Sequence, residues 1–135
     1  MEPSMTPPKL AYVILYVPDV AQAVAFYERA FGLTPRFVHE SGTYAEMETG
    51  ATALAFADET STPNHGAFLP NRADQKAAGA EVGLVVDNVR AAYEQALAQG
   101  AKPCIAPEQK PWGQTVSYVH DLNGFLVELC SAVQH

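Results

Sequence analysis

Hydrophobic positions near the start of the chain change from one periodicity to another. Residues 10–17 (LAYVILYV) form an apolar, β-branched and aromatic run, which predicts a strand because it is too short for a helix of its own. After Pro18, apolar residues recur at helical spacing and predict a helix with one apolar face. Asp19 is placed to cap this helix, with Gln22 completing a capping box, and Gly32 supplies the left-handed residue that ends it.

Short segments of alternating or apolar character follow this helix and are separated by turn residues. They predict strands at 35–41, 43–49 and 52–57. A polar stretch at about 59–79, rich in Pro and Gly and without a sustained period, predicts a linker. Its His65 and Phe68 either form a lid or are incidental surface side chains.

The order of predicted elements in the first half of the chain, one strand, one helix and three strands, is repeated after the linker. The predicted elements are a strand at 81–87, a helix at 89–99 and strands at 102–107, 114–120 and 125–131. Asp87 or Asn88 caps this second helix, Gly100 ends it, and Asn123-Gly124 is a hairpin signal. Because Asn88 corresponds to Asp19 at an offset of 69, the chain reads as two copies of one supersecondary unit.

The duplication predicts the fold class and the domain organisation. We expect an α+β protein in which two βαβββ modules form a curved eight-stranded mixed sheet around a cup, with the helices on the outer face. Residues 1–135 then form a single domain, with module 1 at about 9–58 and module 2 at about 80–132.

Charge and composition limit the classes of partner and the cellular location that the sequence predicts. The chain has 8 basic against 15 acidic residues, a formal net charge of −7, so a nucleic-acid partner is not expected. No apolar run approaches the roughly 20 residues of a membrane span and no signal peptide is recognised, which predicts a soluble cytoplasmic protein. The two cysteines, Cys104 and Cys130, are expected to be reduced and buried rather than a disulfide framework.

Alternation along the strands selects the side chains that face the cup. In the first strand Tyr12 and Tyr16 face it, while Val13 and its alternate neighbours lie under the helix. The other predicted ligand-binding residues are Glu46, Glu81, Glu128 and Trp112, the last in a loop that can cap the cup. Each of these residues also has a purely structural interpretation. The tyrosines can be ordinary strand aromatics, the tryptophan can anchor its loop, and the glutamates can be hydrated or neutralised groups.

Four segments, in this order, resemble one known superfamily. YVPDVAQAVAFYERAFGL, EVGLVVDNV, PWGQTVSYVHDLNGF and VEL are similar to the vicinal oxygen chelate superfamily, which includes glyoxalase I, extradiol dioxygenases and bleomycin-resistance proteins. The resemblance runs from about Leu10 to Cys130, and the chain is closest in character to glyoxalase-like proteins. It implies the cup fold, but the superfamily hosts lyases, epimerases, dioxygenases and non-catalytic binders.

The resemblance also implies four positions that hold a divalent ion in the superfamily's metal enzymes. They fall on Tyr12, Ala55, Glu81 and Glu128. Alanine has no ligating atom and tyrosine is a poor ligand for a divalent first-row metal here, so only Glu81 and Glu128 remain as residual candidates. None of the four histidines falls at these positions, and no metal or other cofactor is expected.

Three hypotheses of function follow. The first is a metal-independent homodimer that binds a small molecule, cationic or aromatic, in an acidic and aromatic pocket. The second is a lyase, isomerase or dioxygenase in which Glu81 and Glu128 hold a metal with waters, Glu46 or Glu48 lending a third oxygen. The third is a non-catalytic dimeric scaffold. Whether the modules pair within a chain or are swapped between chains stays open.

Overall fold

The computed structural model describes residues 6–133 and has the predicted two-module order. Module 1 contains β1 (Tyr12–Val17), α1 (Val20–Phe31), β2 (Pro35–Val38), β3 (Tyr44–Met47) and β4 (Ala53–Asp58). Module 2 contains β5 (Glu81–Val85), α2 (Val89–Ala98), β6 (Lys102–Gln109), β7 (Thr115–His120) and β8 (Leu126–Cys130). Most strands are shorter than predicted, while β6 extends two residues beyond its predicted end at 107.

Both modules have the same strand topology, which confirms the predicted fold class. The sheets have the orders β1-β4-β3-β2 and β5-β8-β7-β6, and the first pair in each sheet is parallel while the other pairs are antiparallel. The strands are thus grouped in two four-stranded sheets rather than in the single eight-stranded sheet predicted, with β1 and β5 as edge strands. Val13 and Val82 line a cleft of about 280 Å³ between these two edges.

Local signals account for both helices. The Asp19 side chain accepts a hydrogen bond from the backbone N–H of Gln22 at 2.9 Å, one half of the predicted capping box. Asn88, rather than Asp87, caps α2 by accepting from Ala91 N at 3.0 Å. Gly32 ends α1 with φ of +73°, the left-handed conformation that glycine adopts without a steric cost.

One hydrophobic core spans the two modules on the helix side of both sheets. It contains the apolar faces of α1 and α2 and the residues of both sheets that point toward them, such as Phe56 and Leu129. Val13 differs from the prediction: although it points the same way, it is 45% exposed because it lies at the seam between β1 and β5. The buried Tyr27 hydroxyl of α1 donates to Asp121 in the β7–β8 turn at 2.6 Å, which ties module 1 to module 2.

Candidate functional site

Strand register places the predicted acids of module 2 on the face opposite the helices. Residues directly opposite each other in adjacent strands share a face. Glu81 and Gly83 of β5 lie opposite Leu126 and Glu128 of β8, and Glu128 lies opposite Tyr118 of β7. We call Glu81, Tyr118, Glu128 and Cys130 the acidic half-site.

The two carboxyl groups of the acidic half-site contact each other. Burial raises the pKa of Glu128, and a hydrogen bond with the Glu81 carboxyl and its negative charge raise that pKa further. The Glu128 carboxyl lies beside Gly83, since a Cβ at that residue would stand 3.5 Å from Glu128 Oε1, an ordinary van der Waals contact. Two carboxyl groups in contact favour a shared proton or a bound cation, because two full negative charges repel each other.

The neighbours of this carboxyl pair respond to the same negative charge. Burial raises the pKa of Tyr118, and the charges of Glu128 and Glu81 raise it further. Burial, followed by the charge of Glu128, also raises the pKa of the Cys130 thiol, so this cysteine is not an activated nucleophile. Lys110 partly offsets the charge at Tyr118, but its ammonium group is paired with Glu108 at 2.8 Å.

Module 1 presents a second, mainly aromatic set of side chains on its corresponding face. We call Tyr12, Tyr16, Tyr44, Glu46 and Ala55 the aromatic half-site. The Tyr44 hydroxyl donates to Glu46 at 2.7 Å. Burial and this bond raise the pKa of Tyr44, with smaller contributions from the charges of Glu46 and Tyr12. The acid of module 1 is therefore oriented by a tyrosine, whereas the acids of module 2 face each other.

The linker covers Tyr16. The rings of Tyr16 and Phe68 are stacked with centroids 4.4 Å apart and planes 9° from parallel. Asn64 Nδ2 donates to the Tyr16 hydroxyl at 3.0 Å. Of the two residues considered for a lid, Phe68 therefore contacts a cup-facing side chain, whereas His65 bonds the backbone of Glu59. Tyr16 is engaged by the chain itself on the face that Phe68 covers.

Trp112 and Glu48 contact side chains outside the two half-sites. Trp112 lies in the loop between β6 and β7, is 61% exposed, and donates through Nε1 to Gln114 at 2.8 Å. Glu48 pairs with Arg36 at 2.7 Å, so it is a rim ion pair and is not available as a third oxygen for a metal. The structure brings Glu81 and Glu128 together, and it leaves Trp112 without a described contact to either.

A divalent metal is implied by the superfamily's metal enzymes, and the residues present do not fit it. Ala55 is fully buried, so its position offers neither a ligating atom nor access for an ion. Tyr12 offers only a phenol. Within residues 6–133 no group of three or more His, Cys, Asp or Glu side chains is arranged to hold a metal ion. Glu81 and Glu128 alone form a two-carboxylate site, which is weak for first-row metals.

The sequence prediction did not name two residues that the structure places in the half-sites, Tyr44 and Tyr118. Tyr44 lies two residues before Glu46 on the same strand face, so the period of two that selected the glutamate also selects the tyrosine. Tyr118 was hidden because the alternation of β7 is broken by Ser117. That serine is buried on the helix side, where its hydroxyl donates to the Leu129 carbonyl at 2.9 Å.

Comparison with known proteins agrees with the architecture. Residues 9–129 match the family model described as the Glyoxalase/Bleomycin resistance protein/Dioxygenase superfamily. No curated protein sequence matches the chain. Within the described part of the chain, no helix is both long and apolar enough to cross a membrane.

Similar solved structures carry the same fold at low sequence identity. An enzyme of the glyoxalase/bleomycin resistance protein/dioxygenase family from Burkholderia phytofirmans PsJN is 19% identical, with a TM-score of 0.79 over 94% of this chain and 100% of that one. A glyoxalase-related enzyme from Fulvimarina pelagi is 18% identical, with a TM-score of 0.75 over 92% and 88%. TioX from Micromonospora sp. ML1 is 24% identical, with a TM-score of 0.69 over 92% and 98%. At these identities the likeness shows the fold alone.

Proposed function

Since the chain belongs to the glyoxalase/bleomycin resistance protein/dioxygenase superfamily, we propose that it is a metal-independent protein that binds a cationic aromatic small molecule on its cup face. The observation that carries the proposal is the Glu81–Glu128 carboxyl pair, in which burial and mutual repulsion raise the pKa of Glu128. A ligand cation would neutralise the negative charge of the carboxyl pair and so reduce the repulsion between the two groups. The tyrosines of the two half-sites would supply stacking and cation–π contacts.

The binding experiment uses phenyltrimethylammonium as the probe, with calorimetry and thermal unfolding as readouts. Comparison with the uncharged analogue tert-butylbenzene measures what the positive charge contributes to binding, and comparison with tetramethylammonium measures what the aromatic ring contributes. We expect phenyltrimethylammonium to bind more tightly than either and Glu128→Gln or Glu81→Gln to weaken it about tenfold, the effect of losing one charged contact. Glu94→Gln on the exposed surface of α2 is the matched control and should leave binding unchanged.

Metal analysis separates this proposal from the enzyme hypothesis. We expect EDTA, zinc, nickel and iron to leave the unfolding temperature unchanged. A stoichiometric metal in the purified protein, lost in Glu81→Gln and Glu128→Gln, would instead favour a metal-dependent lyase, isomerase or dioxygenase. Failure of every cationic or aromatic probe to bind, with no metal present, would favour a scaffold role.

A homodimer is proposed as the working form. Large apolar side chains remain exposed along the seam and the cup face, including Val13 (45%) and Val85 (66%), and exposed apolar patches mark protein interfaces. Sedimentation velocity should give a dimer at micromolar concentration, and Val85→Glu should shift it toward monomer. A monomeric wild-type protein would contradict this. Cys130 is buried as predicted, whereas Cys104 is exposed, so the prediction was wrong for Cys104. We propose a reducing, cytoplasmic setting, which suits two cysteines that form no disulfide with each other.

A further inference from the structure

The linker between β4 and β5 encloses a cavity of about 300 Å³. Its walls include Glu59, directly after β4, and the linker residues His65, Phe68, Pro70 and Arg72. This volume is at the lower end of the range for small-molecule pockets, which suits a ligand of about ten non-hydrogen atoms. None of these side chains belongs to either half-site of the cup face.

An ion pair between Glu59 and Arg72 sets the charge of this cavity. Arg72 Nη2 and Nη1 donate to the two carboxylate oxygens of Glu59 at 2.5 and 3.1 Å, and Nη1 also donates to the Asn71 carbonyl. The Glu59 side chain is only 7% exposed, whereas the Arg72 side chain is 41% exposed. The carboxylate is therefore covered and satisfied. The Arg72 guanidinium lines the cavity, and two of its five N–H groups, Nε–H and one on Nη2, have no hydrogen-bond partner within residues 6–133.

His65 contributes a second polar group whose orientation is fixed. Its Nδ1 lies 2.9 Å from the Glu59 backbone carbonyl, which can only accept, so Nδ1 carries the proton and donates. The other ring nitrogen, Nε2, is then the acceptor of this tautomer. Glu59 thus positions both Arg72, through its side chain, and His65, through its backbone.

The apolar wall and the linker backbone are held in place by contacts outside the cavity. Phe68 stacks on Tyr16 of β1. Further along, the linker backbone is pressed against the β7–β8 turn, since a Cβ at Gly124 would stand 2.5 Å from the Arg72 carbonyl oxygen. A ligand therefore meets walls that are already ordered, which lowers the entropic cost of binding.

We propose that this linker cavity is a second binding site that takes a small aromatic carboxylate. The carboxylate of the ligand would accept hydrogen bonds from the two remaining N–H groups of Arg72, a charge-assisted contact. Its ring would contact Phe68 and Pro70. The site shares no side chain with the cation site on the cup face, although Phe68 packs on Tyr16 of that face, and it takes a ligand of the opposite charge.

The test is a titration with benzoate, followed by calorimetry and by amide chemical shifts in two-dimensional NMR spectra. We expect saturation by about 10 mM, the millimolar affinity that a fragment of this size reaches, and the largest shifts at residues 59–72. Arg72→Lys keeps a positive partner for the buried Glu59 but loses the planar fork, and should weaken binding about tenfold. Phe68→Leu should weaken it about threefold.

Two linker variants serve as matched controls. Lys76→Gln removes an exposed positive charge outside the cavity wall, and Leu69→Ala shortens an exposed side chain next to Phe68. Both should bind benzoate within twofold of wild type. Absence of saturable binding, shifts confined to the cup face, or equal losses in the controls would overturn the proposal. Inorganic phosphate that competes as well as benzoate would overturn the aromatic carboxylate assignment.

Discussion

Replacing Tyr27 with phenylalanine removes the hydrogen bond that joins α1 to the β7–β8 turn without leaving a large cavity. Both partners are buried, the distance is 2.6 Å, and burial raises the pKa of Asp121. The variant leaves a buried carboxylate oxygen without this donor, whereas the other oxygen keeps its bonds from the backbone N–H groups of Asn123 and Phe125. A hydrogen bond to a charged group contributes about 1.5–3 kcal/mol, so we expect a loss of about 2 kcal/mol at pH 7.

Urea unfolding monitored by fluorescence and by circular dichroism measures this loss as a lower midpoint with an unchanged slope. The loss should shrink at acidic pH, where Asp121 becomes protonated and needs less stabilisation of its charge. Tyr93→Phe is the matched control, because Tyr93 is a buried tyrosine of α2 whose hydroxyl has no hydrogen-bond partner within residues 6–133. A loss below about 0.5 kcal/mol for Tyr27→Phe, or an equal loss for Tyr93→Phe, would refute the reasoning.

Three further predictions concern pH, a close contact and a helix cap. The raised pKa of Glu128 means that the folded protein binds the carboxyl proton more tightly than the unfolded chain does. The contribution of Glu128 to stability therefore falls as pH rises from about 4.5. Urea midpoints measured as pH rises from this value should decline less in Glu128→Gln than in wild type. Gly124→Ala should cost several kcal/mol more than Gly42→Ala, since both have positive φ but only the first Cβ meets backbone, at 2.5 Å, and equal unfolding midpoints would contradict this. Asp19→Ala should lower the free energy of unfolding by about 1 kcal/mol in the same assay, through loss of the cap on α1, and an unchanged value would remove that role.

The modular fold could be predicted from the sequence because its signals are local. The cap at Asp19, the left-handed Gly32 and the alternation of β1 each act within a few residues, and the second module repeats them. The choice of Asn88 over Asp87 as the cap could not be made, since either residue type can accept the bond. Hydrogen bonds to the Asn88 carbonyl and side chain identify it in the structure.

The candidate site was only partly predictable. Period-two alternation was sufficient to bring Glu81 and Glu128 to one face, and the structure places their carboxyl groups in contact. The contacts of the linker were not predictable, because they join residues that are distant in sequence and follow no period. Tyr16 and Asn64 are separated by 48 positions, and Glu59 and Arg72 by 13.

Because each module carries one half-site of the cup face, an experiment with mixed subunits can show which modules form one site. The carboxyl pair belongs wholly to module 2, and Tyr12 belongs to module 1. Mixing subunits that carry Tyr12→Ala with subunits that carry Glu128→Gln therefore tells the two pairings apart. If each site of the proposed dimer is shared between chains, half of the sites in the mixed dimer regain both wild-type halves, and binding of the cationic probe is restored at those sites. If each site is built within one chain, every site stays damaged.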